Sequence, residues 1–100
     1  MTELFTPAGP GSLMRSVTID DVGVFHVARR TCELYSVEIM GGWGRLRVSN
    51  GRGRSLWYQP SIFTGSFVIG CEAEEGLIIE IQGGPPTVNV NFREKTRDLV

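Results

Sequence analysis

Few residues in this 100-residue chain have the type and spacing that chemistry needs. The one histidine, His26, lies in the apolar run "VFHVA" with no acid or nucleophile at a recognisable spacing. It reads as an outward or hydrogen-bonded side chain, not a general base. "GSLM" and "GSFVIG" lack both the G-x-S-x-G spacing and the following helix of a nucleophile elbow. "GGWG" and "GRGR" lack the preceding strand, following helix and Lys-Ser/Thr pair of a phosphate-cradling loop. Asp20-Asp21 opens like a calcium loop, but the alternating oxygens do not continue, and a turn explains it better. Glu72, Glu74 and Glu75 are the densest carboxylates. A glycosidase needs only two at the right separation, yet no aromatic platform accompanies these. Cys32 and Cys71 form no Cys-x-x-Cys and have no neighbouring histidine to complete a zinc spacing. They are two separate buried thiols or one disulfide. The expectation is a protein with no catalytic residue, no metal and no cofactor, not an enzyme, that binds or builds.

The stretch "GGWGRLRVSNGRGRSLWYQP", Gly41 to Pro60, places Arg45, Arg47, Arg52 and Arg54 among glycines, bracketed by Trp43, Trp57 and Tyr58. Three readings compete: the charged outer face of a β-hairpin, a protein-contact surface of Arg45, Arg47 and Trp57, or a nucleic-acid grip. A two-residue Asn50-Gly51 loop would set Arg47 opposite Arg54, and like charges directly opposite destabilise a ladder. A three-residue loop Gly51-Arg52-Gly53, with Gly53 left-handed, instead pairs Val48 with Leu56 and Leu46 with Tyr58. Leu46, Val48, Leu56 and Tyr58 then share the core face; Arg45, Arg47, Ser49, Ser55 and Trp57 share the outer one. The acidic segment 72–75 argues against nucleic acid if it lies nearby.

The elements that would position these residues are strands. A chain of this length makes one domain, and 41 % hydrophobic with 21 % charged residues is a globular composition. A formal net charge of -1 directs the whole molecule toward no polyanion. The first twenty residues contain Glu3 and no long apolar run, so no signal peptide is expected. Nor does any stretch approach the roughly 20 apolar residues of a membrane-spanning helix. From Leu13 on, short Val/Ile/Phe/Tyr runs are cut by Gly, Pro, Asn or Asp every 8 to 12 residues or so, the rhythm of an antiparallel β-sandwich or jelly-roll-like barrel of about eight strands. These strands are 13–19, 24–28, 34–40, 43–49, 54–58, 66–71, 77–82 and 87–92. "TVNVNF" alternates strictly, with Val88, Val90 and Phe92 on one face, and "LIIEI" reads as a central strand covered on both sides. Phe25, Ala28, Cys32, Tyr35 and Ile39 recur at helical spacing, so a helix over 25–35 competes with two strands there. Around the 13–93 domain, residues 1–12 read as an extended arm anchored by Leu4 and Phe5. Residues 94–100 read as a tail with Leu99 and Val100 as anchors.

Over about Leu34 to Phe92 the chain resembles the small β-rich virion proteins of tailed bacteriophages, particularly capsid decoration or cement proteins. The residues that carry the resemblance are the Asn50–Gly53 turn, the Phe63–Gly65 approach, the Gly76-Leu77 strand start and the alternating Val88–Phe92 strand. The long "TCELYSVEIM" segment departs from that pattern. The resemblance implies a structural virion protein, made in the host cytoplasm and placed on the capsid surface. Its implied partners are the major capsid protein and neighbouring copies in a homotrimer, clamped by extended termini, with no membrane and no nucleic acid. The alternative is a small sandwich that binds carbohydrate, a receptor or single-stranded nucleic acid through Trp43, Trp57 and Tyr58.

Overall fold

The computed structural model describes residues 2–9, 12–84 and 86–94, with side chains from Met14 onward. The strands are β1 (Thr2–Gly9), β2 (Ser12–Ile19), β3 (Gly23–Ala28), β4 (Cys32–Met40), β5 (Trp43–Asn50), β6 (Ser55–Gln59), β7 (Gly65–Ala73), β8 (Leu77–Gly84) and β9 (Thr87–Glu94). One sheet has five strands in the order β1-β2-β9-β4-β7, the other four in the order β3-β8-β5-β6, and every pairing is antiparallel. The eight strands expected from Leu13 on are all present, with each end within two residues of its expected position. Only β1-β2 and β5-β6 are hairpins within a sheet; every other connection crosses from one sheet to the other.

Period-two patterning builds the core. Val17 and Ile19 of β2, Val88, Val90 and Phe92 of β9, and Leu34, Val37 and Ile39 of β4 point from the larger sheet. They meet Leu46 and Val48 of β5 and Leu77, Ile79 and Ile81 of β8 from the smaller. On the outer side of the larger sheet the Asn residues of β9 form two polar rungs across three strands. The Ser16 hydroxyl donates to Asn91, whose amide donates to Ser36 Oγ at 3.0 Å. The Thr18 hydroxyl donates to Asn89 at 3.1 Å, and the Asn89 amide donates to Glu38 at 3.0 Å. β8 is central, between β3 and β5, but it is not covered on both sides, because Ile78 and Glu80 are half-exposed on the outer face.

The 25–35 segment is two strands joined by a bend, with no helix. Bulges explain the helix-like spacing: Val27 is extra in β3 opposite β8, and Tyr35 is extra in β4 opposite β9. Each added residue shifts the alternation by one. The departure of "TCELYSVEIM" from a plain strand thus has a local cause.

The Gly51-Arg52-Gly53 loop has the expected length, and Gly53 is left-handed at φ 87°. Asn50 organises it: its Oδ1 accepts from the amides of Arg52 and Arg54, both at 2.9 Å, while its own amide donates to the Arg54 carbonyl at 2.9 Å. Ser49 faces Ser55 as expected, but the next pair is Val48 with Trp57, then Arg47 with Tyr58 and Leu46 with Gln59. Leu56 is the extra residue of a bulge, so the expected faces of Trp57 and Tyr58 exchange. Two consecutive apolar residues, Leu56 and Trp57, cannot both face the core of a regular strand; the bulge half-buries both. Trp57 is therefore not on the outer face.

Thr2–Gly9, read from the sequence as part of the arm, is extended and lies antiparallel to β2, with Leu4 opposite Ser16 and Phe5 opposite Arg15. The side chains of Leu4 and Phe5, and residues 95–100 with Leu99 and Val100, lie outside the described residues.

Two glycines have different reasons to be glycine. Gly44, at φ 115°, lies where an added Cβ would come within 2.0 Å of the Gln82 carbonyl oxygen, so the β5-β8 ladder requires it. At Gly53 a Cβ would meet nothing within 4 Å, so only its left-handed φ matters. Gly44→Ala is expected to cost more than about 3 kcal/mol and Gly53→Ala about 1 to 2, measured as shifts in urea-unfolding free energy. Equal losses would contradict the close approach at Gly44.

Candidate functional site

On the outer face of the four-stranded sheet, period two places Arg45 and Arg47 of β5 beside Tyr58 of β6 and Glu80 and Gln82 of β8. These five side chains line an open hollow of about 70 Å³. A drug-sized ligand needs a pocket of roughly 300 Å³ or more, so the hollow accepts at most a projecting group from a larger partner. Arg45 is opposite Gln82, and Arg47 lies between Tyr58 and Glu80 in the strand registers. The Arg47 guanidinium carbon lies 5.3 Å from the centre of the Tyr58 ring, a cation–π contact. The Gln82 amide donates to Glu80 at 2.9 Å, occupying one carboxylate oxygen. Among the described residues, neither Arg45 nor Arg47 has a carboxylate within ion-pair distance.

Of the hairpin's other two cations, Arg54 is likewise exposed with no carboxylate within ion-pair distance among the described residues, whereas Arg52 is paired. Arg52 at its tip forms a salt bridge with Glu75 at 2.7 Å, and the Gly51 amide donates to the Glu74 carbonyl at 2.9 Å. The acidic 72–75 segment is thus the neighbour of the hairpin tip. Of the residues expected to make a contact surface, the fold brings Arg45 and Arg47 together and leaves Trp57 out. Trp57 packs half-buried against Phe67, with ring centres 5.2 Å apart. Tyr58 takes its place beside the arginines because of the Leu56 bulge, which no residue-type signal announces. Glu80 and Gln82 were accessible to reasoning, since their alternation with Ile79 and Ile81 sends them outward once β8 is paired with β5.

A second gathering of titratable groups sits at one end of the sandwich interior. Arg15 pairs with Glu94 and lies 5.5 Å over the Phe92 ring. Arg15 shares the inward parity of Val17 and Ile19, the signal by which this inward cation was legible. Beside this pair, Cys32 is fully buried and Cys71 is half-buried, and both are free thiols with no disulfide between them. Burial, reinforced by the carboxylate of Glu94, pushes the Cys32 thiol up to about 12. Burial also raises Cys71. A thiol held neutral is a poor nucleophile, so this cluster does not supply thiolate chemistry at neutral pH. His26 is exposed on β3, as its place between Phe25 and Val27 suggests. Among the described residues no three His, Cys, Asp or Glu side chains are grouped as a metal site.

Comparison of the chain with protein-family models, with curated proteins and with solved structures finds no match. The fold and the face together define an antiparallel β-sandwich carrying an unpaired basic-aromatic surface.

The raised Cys32 pKa makes stability depend on pH in a defined direction. The unfolded thiol ionises near its ordinary 9.0, while the folded one stays neutral toward about 12. Its contribution is complete below pH 9 and is lost as the pH climbs through that window, by up to about 1.4 kcal/mol per pH unit. Urea midpoints measured from pH 8 to 11 should fall more steeply for the wild type than for Cys32→Ala. Parallel curves would show that Cys32 does not resist ionisation.

Proposed function

We propose that the protein is a non-enzymatic structural protein that attaches to a larger protein assembly through the face built on Arg45, Arg47 and Tyr58. In its specific form the reading is a decoration protein on the capsid surface of a tailed phage, with the major capsid protein as partner. The observation that carries it is the pair of exposed guanidinium groups held on an internal strand of a sheet, without ionic partners among the described residues and with Tyr58 alongside. Arginine and tyrosine are the side chains that interfaces favour, and an arginine free of internal ion pairs can take a bidentate carboxylate from a partner. A protein that binds only the assembled shell stabilises it by mass action and needs no catalytic group.

Nucleic acid is a poorer partner for this face, since Glu80 shares the hollow and Arg52 is already neutralised by Glu75. One observation favours a carbohydrate: Trp43 is 70 % exposed, its indole against the backbone of Gly84, leaving ring surface open to a sugar. Quenching of Trp43 fluorescence by glycans, abolished in Trp43→Ala, would support that second reading.

The Arg45→Gln/Arg47→Gln double variant should keep the wild-type circular dichroism and unfolding midpoint, because both side chains are exposed and glutamine sets no like charge opposite Glu80. It should lose at least tenfold in co-sedimentation with shells assembled from the major capsid protein of the phage that encodes it. Unchanged co-sedimentation would remove this face from the interface, and no binding by the wild type would remove the capsid reading.

A further inference from the structure

The two sheets have four edge strands, and three of them are protected against pairing with another chain. β1 carries Glu3 and Pro7. β3 has six residues, set between Asp20-Asp21 and Arg29-Arg30. β6 has five, set between Arg54 and Pro60. β7 is different: its nine residues, GSFVIGCEA, hold no charge and no proline from Gly65 to Cys71. Its inner neighbour is β4, and on its other side no strand is paired among the described residues. An edge that is long, apolar and free of lysine or proline is the kind that takes another strand.

The side chains point the same way. Val68 is 72 % exposed, the most exposed of the large hydrophobic residues in the described part of the chain. Across the β4-β7 ladder it faces Ser36, and the bulged Tyr35, 47 % exposed, lies next to it in the chain. On the inner face Phe67 and Ile69 pack against the core yet stay half-buried. Phe63 stands edge-on to Phe67 with ring centres 5.4 Å apart and is itself 54 % exposed.

We propose that β7 pairs antiparallel with β7 of a second copy of this chain, about a two-fold axis at Val68 that sets Val68 opposite Val68 and Phe67 opposite Ile69, joining two five-stranded sheets into one. A second copy is the occupant because the strand is complementary to itself. With no charge between Gly65 and Cys71, antiparallel self-pairing sets no like charges opposite one another. It brings the exposed Val68 side chains of both copies together on the outer face. It also closes Phe67 and Ile69 of each core against those of the other on the inner face. The left-handed Gly70, at φ 64°, ends the regular stretch, so the seam is short and centred before it. An isologous pairing of this kind closes as a dimer, in place of the trimer that the resemblance implies. The seam lies at a sheet edge and is independent of the Arg45–Arg47 face.

Light scattering on the eluting peak of a size-exclusion column is expected to give twice the 11.0 kDa chain mass at tens of micromolar. A monomer or a trimer across micromolar to millimolar protein would overturn the proposal. Val68→Lys and Val68→Glu alter a side chain already in solvent, so each should fold with an unchanged melting temperature and elute as a monomer. Mixed in equal amounts, the two variants should recover the dimer, since opposite charges then meet at the seam. Dimers that persist in both single variants, or a mixture that stays monomeric, would place the interface elsewhere.

Discussion

The common core into which β8 and β9 bury their inner faces is the interaction on which the rest of the structure depends. They are consecutive in the chain yet lie in opposite sheets, so the short connection after Gly84 folds one layer onto the other. Leu77, Ile79 and Ile81 of β8 and Val88, Val90 and Phe92 of β9 are all essentially inaccessible to solvent. Each such side chain contributes about 1.5 to 3 kcal/mol on leaving water. Each strand is also flanked on both sides: β9 by β2 and β4, β8 by β3 and β5. Six of the nine strands therefore take their register from this pair or belong to it. The polar rungs of Asn89 and Asn91 fix β9 between β2 and β4 on the solvent side, where a slip of one residue would bury both amides and expose the valines.

What was legible in the sequence follows the same physics. β9 was plain because its alternation is strict, and the turns were plain because Asn50-Gly51 and Asp20-Asp21 have a local reason to bend the chain. Where alternation broke, the reading failed or forked. Val27, Tyr35 and Leu56 are bulge residues, and a bulge is decided by the partner strand as much as by its own sequence. At 25–35 two bulges imitated a helical repeat. At Leu56 one bulge exchanged Trp57 for Tyr58 on the outer face, so the candidate surface was found with the wrong aromatic residue. Arg45 and Arg47 were placed correctly because β5 has no bulge against β8 and its inner residues, Leu46 and Val48, leave no doubt about parity.

The distribution of charge separates the surfaces of the molecule. Arg52 and Glu75 neutralise each other at the hairpin tip, and Arg15 and Glu94 do so at the end of the interior. Exposed ion pairs of the first kind contribute little to stability, so their importance lies in which cations they leave free. Arg45 and Arg47 on the outer face of the smaller sheet, and Arg29, Arg30 and Arg54 outside the strands, are exposed without an ion pair among the described residues. The thiols follow a similar logic: burial takes Cys32 away from the pH range in which it would react. The outer face of the smaller sheet thus keeps two cations, Arg45 and Arg47, available to a partner.

Symmetry relates that face to the free edge of β7. A two-fold axis that pairs an edge strand with its own copy antiparallel stands perpendicular to the sheet, because it must reverse the strand while keeping the same edge inward. It leaves the outer faces of both larger sheets on one side and the outer faces of both smaller sheets on the other. Two Arg45–Arg47 hollows then point in one direction from a single rigid body, one on each side of the axis. A partner that repeats its acidic groups across a surface, as the subunits of a shell do, would engage both. The second contact would form at a high effective concentration, so that two shallow, individually weak hollows act as one strong attachment. A hollow of about 70 Å³ would then suffice for attachment to a repeating surface.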